Sequence, residues 1–212
     1  MKRISNTEYD AIIWDFDGVI VESNAIREKG FVEVLSGFRP EDINLLLDFH
    51  RQNGGLSRYV KFRYFFEEIL KTTVEEQTIQ NYAERFSKIM RELMTSKDIL
   101  IEETVFFIKR SYRHYNFHIA SGSDQRELRY LCTQLEIARY FHSIQGSPQP
   151  KKDIVKELLH TNGYDPSATV LIGDAINDYE AAKVNGIKFV AYNASPDLYA
   201  RSDIDFSFSV EL

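Results

Sequence analysis

Four short apolar runs that break off at small or acidic residues constrain this chain more than any other feature. They are Tyr9 to Trp14, ending in Asp15-Phe16-Asp17-Gly18; Phe117 to Ala120, ending in Ser121-Gly122-Ser123-Asp124; Thr169 to Ile172, ending in Gly173-Asp174; and Ile187 to Tyr192, ending in Asn193-Ala194-Ser195. Such runs, apolar on both faces, read as buried strands of a parallel sheet. Phe141 to Gln145 and Phe206 to Val210 are weaker strand candidates. Helical patterns separate them: Gln125 to Ile137, Lys152 to His160 with an Asn162-Gly163 stop, and Asp178 to Val184 closed by Asn185-Gly186. Strands alternating with helices predict an α/β fold with a doubly wound parallel sheet. Ligands of such sheets sit beyond the carboxyl ends of the strands, where the polar residues after all four runs would share one pocket.

The segment from Glu22 to about Lys97 has no convincing strand. It carries helical patterns at Ala25 to Leu35, Pro40 to Phe49, Arg58 to Leu70 and Val74 to Leu93, and a further helix, Glu102 to His114, returns to the core. With 212 residues, the chain exceeds the ~100–150 of a usual domain. The expected division is a catalytic core of residues 1–21 and 98–212, with residues 22–97 as an all-helical cap over the pocket.

The net charge of −6 gives no electrostatic reason to expect nucleic acid or an anionic membrane as partner. An anionic ligand must then be held by local cations, helix N-termini or a metal. The single cysteine, Cys132, excludes an intramolecular disulfide framework and a multi-cysteine zinc site, and reads as a small buried side chain. No secretion signal or stretch of ~20 apolar residues is present, so the cytoplasm is the expected location.

Asp15 and Asp17 are two carboxylates at the end of a buried strand, a costly arrangement that a hard cation such as Mg2+ would offset. Taken alone, Asp17-Gly18 is also good turn chemistry. Asp174-Ala175-Ile176-Asn177-Asp178 repeats the pattern after another strand, although Asn177 or Asp178 could serve simply as a helix N-cap. Two acidic clusters at one sheet edge would repel each other without a cation. Ser121-Gly122 before a helix could hold an anion or merely cap that helix. The loop Gly146 to Lys152 presents Lys151 and Lys152 at a helix N-terminus, where cations oppose the macrodipole unless an anion is bound.

Together these motifs resemble, in order, those of haloacid dehalogenase-superfamily hydrolases with a helical cap after the first motif, the group of phosphoglycolate phosphatases and β-phosphoglucomutases. The resemblance spans Tyr9 to Gly186 and implies a Rossmann-like core and an Mg2+ cofactor. It implies that Asp15 attacks phosphorus to form an aspartyl-phosphate, and that Asp17 serves as acid and then base. Ser121, Gly122 and Gly18 would bind the phosphate. Asp15, Asp174, Asp178 and the backbone carbonyl of Asp17 would serve the metal, Asp178 in a supporting role. The catalytic lysine is Lys151 or Lys152; the family's lysine usually precedes a proline, whereas here Pro150 precedes Lys151. Lys151, the first residue the proline loop presents, is the favoured choice.

An acid at position 17 suits an alcohol leaving group, so the resemblance implies a phosphatase acting on a small phosphomonoester. A phosphosugar mutase or a non-catalytic phosphate-binding module are the alternatives. In the cap, Asn53 to Tyr64 joins a diglycine turn to Arg58, Lys61 and Arg63 among aromatic residues. It reads either as a solvated basic helix face or as Arg58 or Lys61 reaching the substrate body, a sugar phosphate, phosphorylated sugar acid or phosphoglycolate-like molecule. Glu22, Ser23 and Asn24 lie at the hinge.

Overall fold

The computed structural model describes residues 9–204. Five parallel strands form one sheet in the order β3-β2-β1-β4-β5: β1 Ala11–Trp14, β2 Asn116–Asp124, β3 Ser143–Ser147, β4 Thr169–Gly173 and β5 Lys188–Ala191. All four residues of β1 are buried, as its unbroken Ala-Ile-Ile-Trp sequence requires of a central strand. Side chains alternate between the two faces. Ile12 and Trp14 join the cluster containing Val105 and Ile108 of α5 (Glu102–Ser111) and Leu128, Leu131 and Cys132 of α6 (Gln125–Gln134). Ile13 joins the opposite cluster, with Ile154, Val155 and Leu158 of α7 (Lys151–Asn162) and Ala181 and Ala182 of α8 (Ile176–Val184). Helices therefore cover both faces. A short last helix, α9, spans Pro196–Tyr199. The strand candidate Phe206 to Val210 lies outside the described residues.

Between β1 and α5 the chain forms α1 (Asn24–Val34), α2 (Pro40–Gln52), α3 (Arg58–Tyr64) and α4 (Glu76–Leu93). Their interior is aromatic: Phe31 lies 4.5 Å from Phe86 and 5.5 Å from Phe62, measured between ring centroids. Gly30 lets α1 and α4 approach, because a Cβ there would sit 2.4 Å from Met90 Cε and 3.0 Å from Phe86. The helix expected over Arg58 to Leu70 instead changes to a π-helical turn at Phe65–Ile69, where the Leu70 N–H donates to Phe65 O at 3.0 Å. The two crossings between this helical insertion and the sheet run side by side, with Glu22 N–H donating to Ile99 O at 2.7 Å and Ile101 N–H to Ile20 O at 3.0 Å. No helix among the described residues is long and apolar enough to cross a membrane.

Strand register explains why the motifs meet. Trp14 pairs with both Ile119 and Ile172, so the residues following Trp14, Ala120 and Gly173 emerge at the same sheet edge. Lys151 reaches that edge from the first turn of α7.

Candidate active site

Asp15 continues the ladder beyond β1, its N–H donating to Ile172 O at 2.9 Å. Its side chain is buried, and Oδ1 lies 2.9 Å from Lys151 Nζ. The same ammonium also donates to Asp178 Oδ1. Asp178 Oδ2 accepts the Ala175 N–H at 3.0 Å, so Asp178 sits inside the first turn of α8 and ties the lysine to it. Neither Asn177 nor Asp178 is the N-cap of that helix; Ala175 occupies the position. Lys151 is buried between two carboxylates whereas Lys152 is exposed, which separates the two lysine candidates. Burial opposes the charge on Lys151, but Asp15 and Asp178 outweigh it and hold the ammonium above its ordinary range.

Asp15, Asp174 and Asp178 each present a carboxylate oxygen, all within 4.8 Å of one another. Burial raises the pKa of Asp15 and of Asp174; repulsion from Asp178 adds to it in Asp15, and repulsion from Asp15 and Asp178 in Asp174. Crowded hard oxygens of this kind could hold a divalent cation, which would relieve the repulsion.

Asp17 points elsewhere. Its Oδ1 accepts from Ser23 Oγ at 2.5 Å and Arg27 Nε at 3.0 Å, and its Oδ2 from Ser123 Oγ at 2.6 Å and Arg27 Nη2 at 3.2 Å. Burial would raise its pKa, but Arg27 and the two hydroxyls win and bring it to about 2. Its side chain is thus a fixed carboxylate outside the three-acid cluster.

Two expectations need correction. Gly18 offers no free donor for phosphate, because its N–H is already engaged with Val21 O at 2.8 Å. Its φ of +76° and the 2.1 Å at which a Cβ would meet Asp174 Oδ2 explain the glycine instead. Ser121 and Gly122 do not open a helix, because β2 continues to Asp124, which caps α6 by accepting the Arg126 and Glu127 N–H groups at 3.0 and 3.1 Å. Both residues still line the cavity beside Asp15 and Asp174.

The far wall comes from the insertion. A narrow, partly open cavity lies between the sheet edge and residues that include Arg27, Phe31, His50, Gly54, Arg58, Lys61 and Phe86. Arg58 and Lys61 do not form a solvated basic face, since both are buried. Arg58 Nη2 donates to Glu127 Oε1 at 2.7 Å and Nη1 to Ser87 Oγ at 2.7 Å, while its guanidinium lies 4.6 Å over the Phe86 ring. Glu127 also accepts from Arg27 Nη1 at 2.5 Å. Burial works against its charge, but Arg58 and Arg27 hold its pKa down. Gly55 closes the roof: Asn177 Nδ2 donates to its carbonyl at 2.8 Å, and a Cβ on Gly122 would lie 2.2 Å from the same oxygen.

The sequence reading missed Arg27, His50, Ser123 and Glu127. Helical phase could have found three of them. Arg27 shares a face with Phe31 and Val34, His50 with Ile43, Leu46 and Leu47, and Glu127 with Leu128 and Leu131. Each is an ionisable group on an apolar stripe.

Several solved structures share this architecture. CbbY from Rhodobacter sphaeroides, in complex with xylulose 1,5-bisphosphate, is 17% identical with a TM-score of 0.74, and the match covers 95% of this chain and 94% of that one. A haloacid dehalogenase-like hydrolase from Streptococcus pneumoniae is 18% identical, with a TM-score of 0.68 over 94% and 93% of the two chains. A predicted phosphoglycolate phosphatase from Haemophilus somnus is 16% identical, with a TM-score of 0.67 over 87% and 85%. None of the curated proteins compared with the sequence matches it. The family model of haloacid dehalogenase-like hydrolases matches residues 12–192, from the first strand to the end of the last, and the chain belongs to that family.

Proposed function

We propose that the protein is an Mg2+-dependent phosphatase that hydrolyses a small phosphomonoester through an aspartyl-phosphate on Asp15. The observation that carries this reading is the buried Asp15–Lys151–Asp178 chain beside Asp174 at the edge of the sheet. A carboxylate nucleophile needs a neighbouring cation to approach a phosphate dianion, and a divalent metal fits the oxygens of Asp15, Asp174 and Asp178. When bound, Mg2+ would offset the negative charge that Asp15 and the phosphate bring together. Lys151 fixes the carboxylate and faces the charge that develops on the equatorial oxygens. Ser121 and Gly122 would hold a phosphoryl oxygen.

The bond from phosphorus to the alcohol oxygen breaks as the bond from Asp15 forms, and the alcohol leaves with a proton from Asp17. Water then attacks the phosphorus of the aspartyl-phosphate, Asp17 takes the water's proton, and Asp15 and phosphate are released. In this geometry Asp17 is a carboxylate with four hydrogen bonds, the protonation state that the base of the second step needs. To give a proton to the departing alkoxide oxygen, Asp17 must first take one up from solvent, which requires the Arg27 contact to loosen. Residues 22–97 act as a cap that closes over the substrate and excludes water. Support for a sugar-phosphate or phosphoglycolate-like substrate comes from the fold shared with CbbY and the Haemophilus protein.

Turnover of p-nitrophenyl phosphate with Mg2+ tests the reading. Activity should vanish with EDTA and return with Mg2+. Asp15→Asn should lower turnover by roughly a thousandfold or more while the circular dichroism spectrum stays unchanged. Near-normal turnover by that variant would overturn the mechanism.

A further inference from the structure

The cations of the insertion are not equivalent. Arg27 is matched by Asp17 and Glu127, and Arg58 by Glu127. Lys61 is equally buried, with 3% of its surface exposed, yet no carboxylate among the described residues pairs with it. Its ammonium donates to two neutral acceptors, His50 Nδ1 at 2.8 Å and the carbonyl of Gly54 at 2.8 Å. An ammonium has three N–H donors, so one is left over, and Lys61 lines the cavity that also holds Asp15 and Asp174.

His50 reinforces the asymmetry. Burial, then the adjacent Lys61, depress its pKa to about 3, so the ring is neutral. With Nδ1 accepting from Lys61, its proton sits on Nε2, a second donor without a partner among the described residues. A buried cation that meets only neutral groups is costly unless an anion joins it. Burial, followed by Arg27 and Arg58, accordingly pushes the pKa of Lys61 down to about 7, against the pull of Asp17 and Asp174.

We propose that Lys61 and His50 form a second anion subsite, which takes a carboxylate or second phosphate on the substrate while the reacting phosphate lies at Asp15. The substrate is then a small phosphomonoester with another anionic group. Arg58, engaged by Glu127, Ser87 and Phe86, is a structural strut. This assignment rests on the phosphatase reading for the position of the reacting phosphate.

Binding can be measured without turnover in the full-length Asp15→Asn protein with Mg2+, by calorimetry with two pairs of ligands. One compares 2-phosphoglycolate with 2-hydroxyethyl phosphate, and the other compares 1,3-propanediol bisphosphate with 3-hydroxypropyl phosphate. The doubly anionic member of at least one pair should bind roughly tenfold or more tightly, and the pair showing it tells carboxylate from phosphate. Adding Lys61→Met should erase the preference and Lys61→Arg should keep part of it; Lys61→Gln replaces the methionine variant if that one does not fold. Equal binding within both pairs, or a preference that survives the loss of the Lys61 charge, would overturn the subsite. Failure of the unsubstituted protein to turn over p-nitrophenyl phosphate would defeat the phosphatase reading, while the calorimetry would still decide the subsite.

Discussion

The two walls of the cavity carry opposite problems. On the sheet side Asp15, Asp174 and Asp178 face a single Lys151, and Asp15 and Asp174 are pushed toward protonation. On the helical side Arg27, Arg58 and Lys61 face a single Glu127, with Asp17 reaching Arg27 from the sheet edge, and Lys61 is pushed toward losing its proton. One wall lacks a cation and the other lacks an anion. A metal with a phosphorylated anion would satisfy both, whereas among the described residues Asp17 and Arg27 are the one direct ion pair between the sheet edge and the helical insertion around the cavity.

If the sheet side depends on a cation, removing one of its oxygen donors should have the largest effect. Asp174→Ala should lower activity at a fixed low Mg2+ concentration by roughly a hundredfold or more, and excess Mg2+ should recover part of it. A titration of turnover against Mg2+ checks this; an unchanged midpoint would mean that Asp174 does not serve the metal.

On the opposite wall the corresponding change should appear as stability. Glu127→Gln leaves Arg27 and Arg58 buried with one counter-charge fewer, which should cost about 3–5 kcal/mol. Thermal or urea unfolding measures the loss. A cost below about 1 kcal/mol would show that the two guanidiniums find water or another acceptor.

Per pH unit, the smallest effect is expected from acid titration of His50. Its folded-state pKa is depressed to about 3, against about 6.5 in the unfolded chain. Between those values the unfolded state binds a proton that the folded state refuses. Stability should therefore fall as pH drops through 6.5 toward 3, by up to about 1.4 kcal/mol per pH unit. Lys61, Arg27 and Arg51 all act against a charge on the ring, so His50→Gln should flatten this slope. An unaltered slope in urea titrations at several pH values would place the acid sensitivity elsewhere.

The contrast between the walls also explains what could be read in the sequence. Asp15 follows its apolar run directly and Asp174 follows its own after a single glycine, so strand periodicity and the order of the motifs bring them to one edge. Lys151 is likewise readable as the first residue that the proline loop presents, although the helix expected from Lys152 begins one residue earlier, at Lys151 itself. The opposite wall depends on how helices distant in sequence are rotated and packed. Helical spacing places Arg58 in phase with Phe62 and Phe65, but not the partner that makes its burial tolerable, Glu127, which is 69 residues away. Gly18 misleads for a related reason: its motif invites a phosphate role, while the space beside it is filled by Asp174.

The ion pairs of Glu127 have a further consequence, in time. Arg27 precedes its partner by 100 residues, and a ribosome adding ~5–20 residues per second needs about 5 to 20 s to cover that distance. The helices between β1 and α5 are thus made early, but Arg58 has no acid to meet, and Arg27 only Asp17, until α6 has left the exit tunnel. Until then the Arg58 guanidinium is better off in water, which holds the helical insertion open although its aromatic residues are already present. The part made first is therefore finished late, and a nascent chain stalled before residue 127 should expose α1 and α3 to proteases that the completed protein resists.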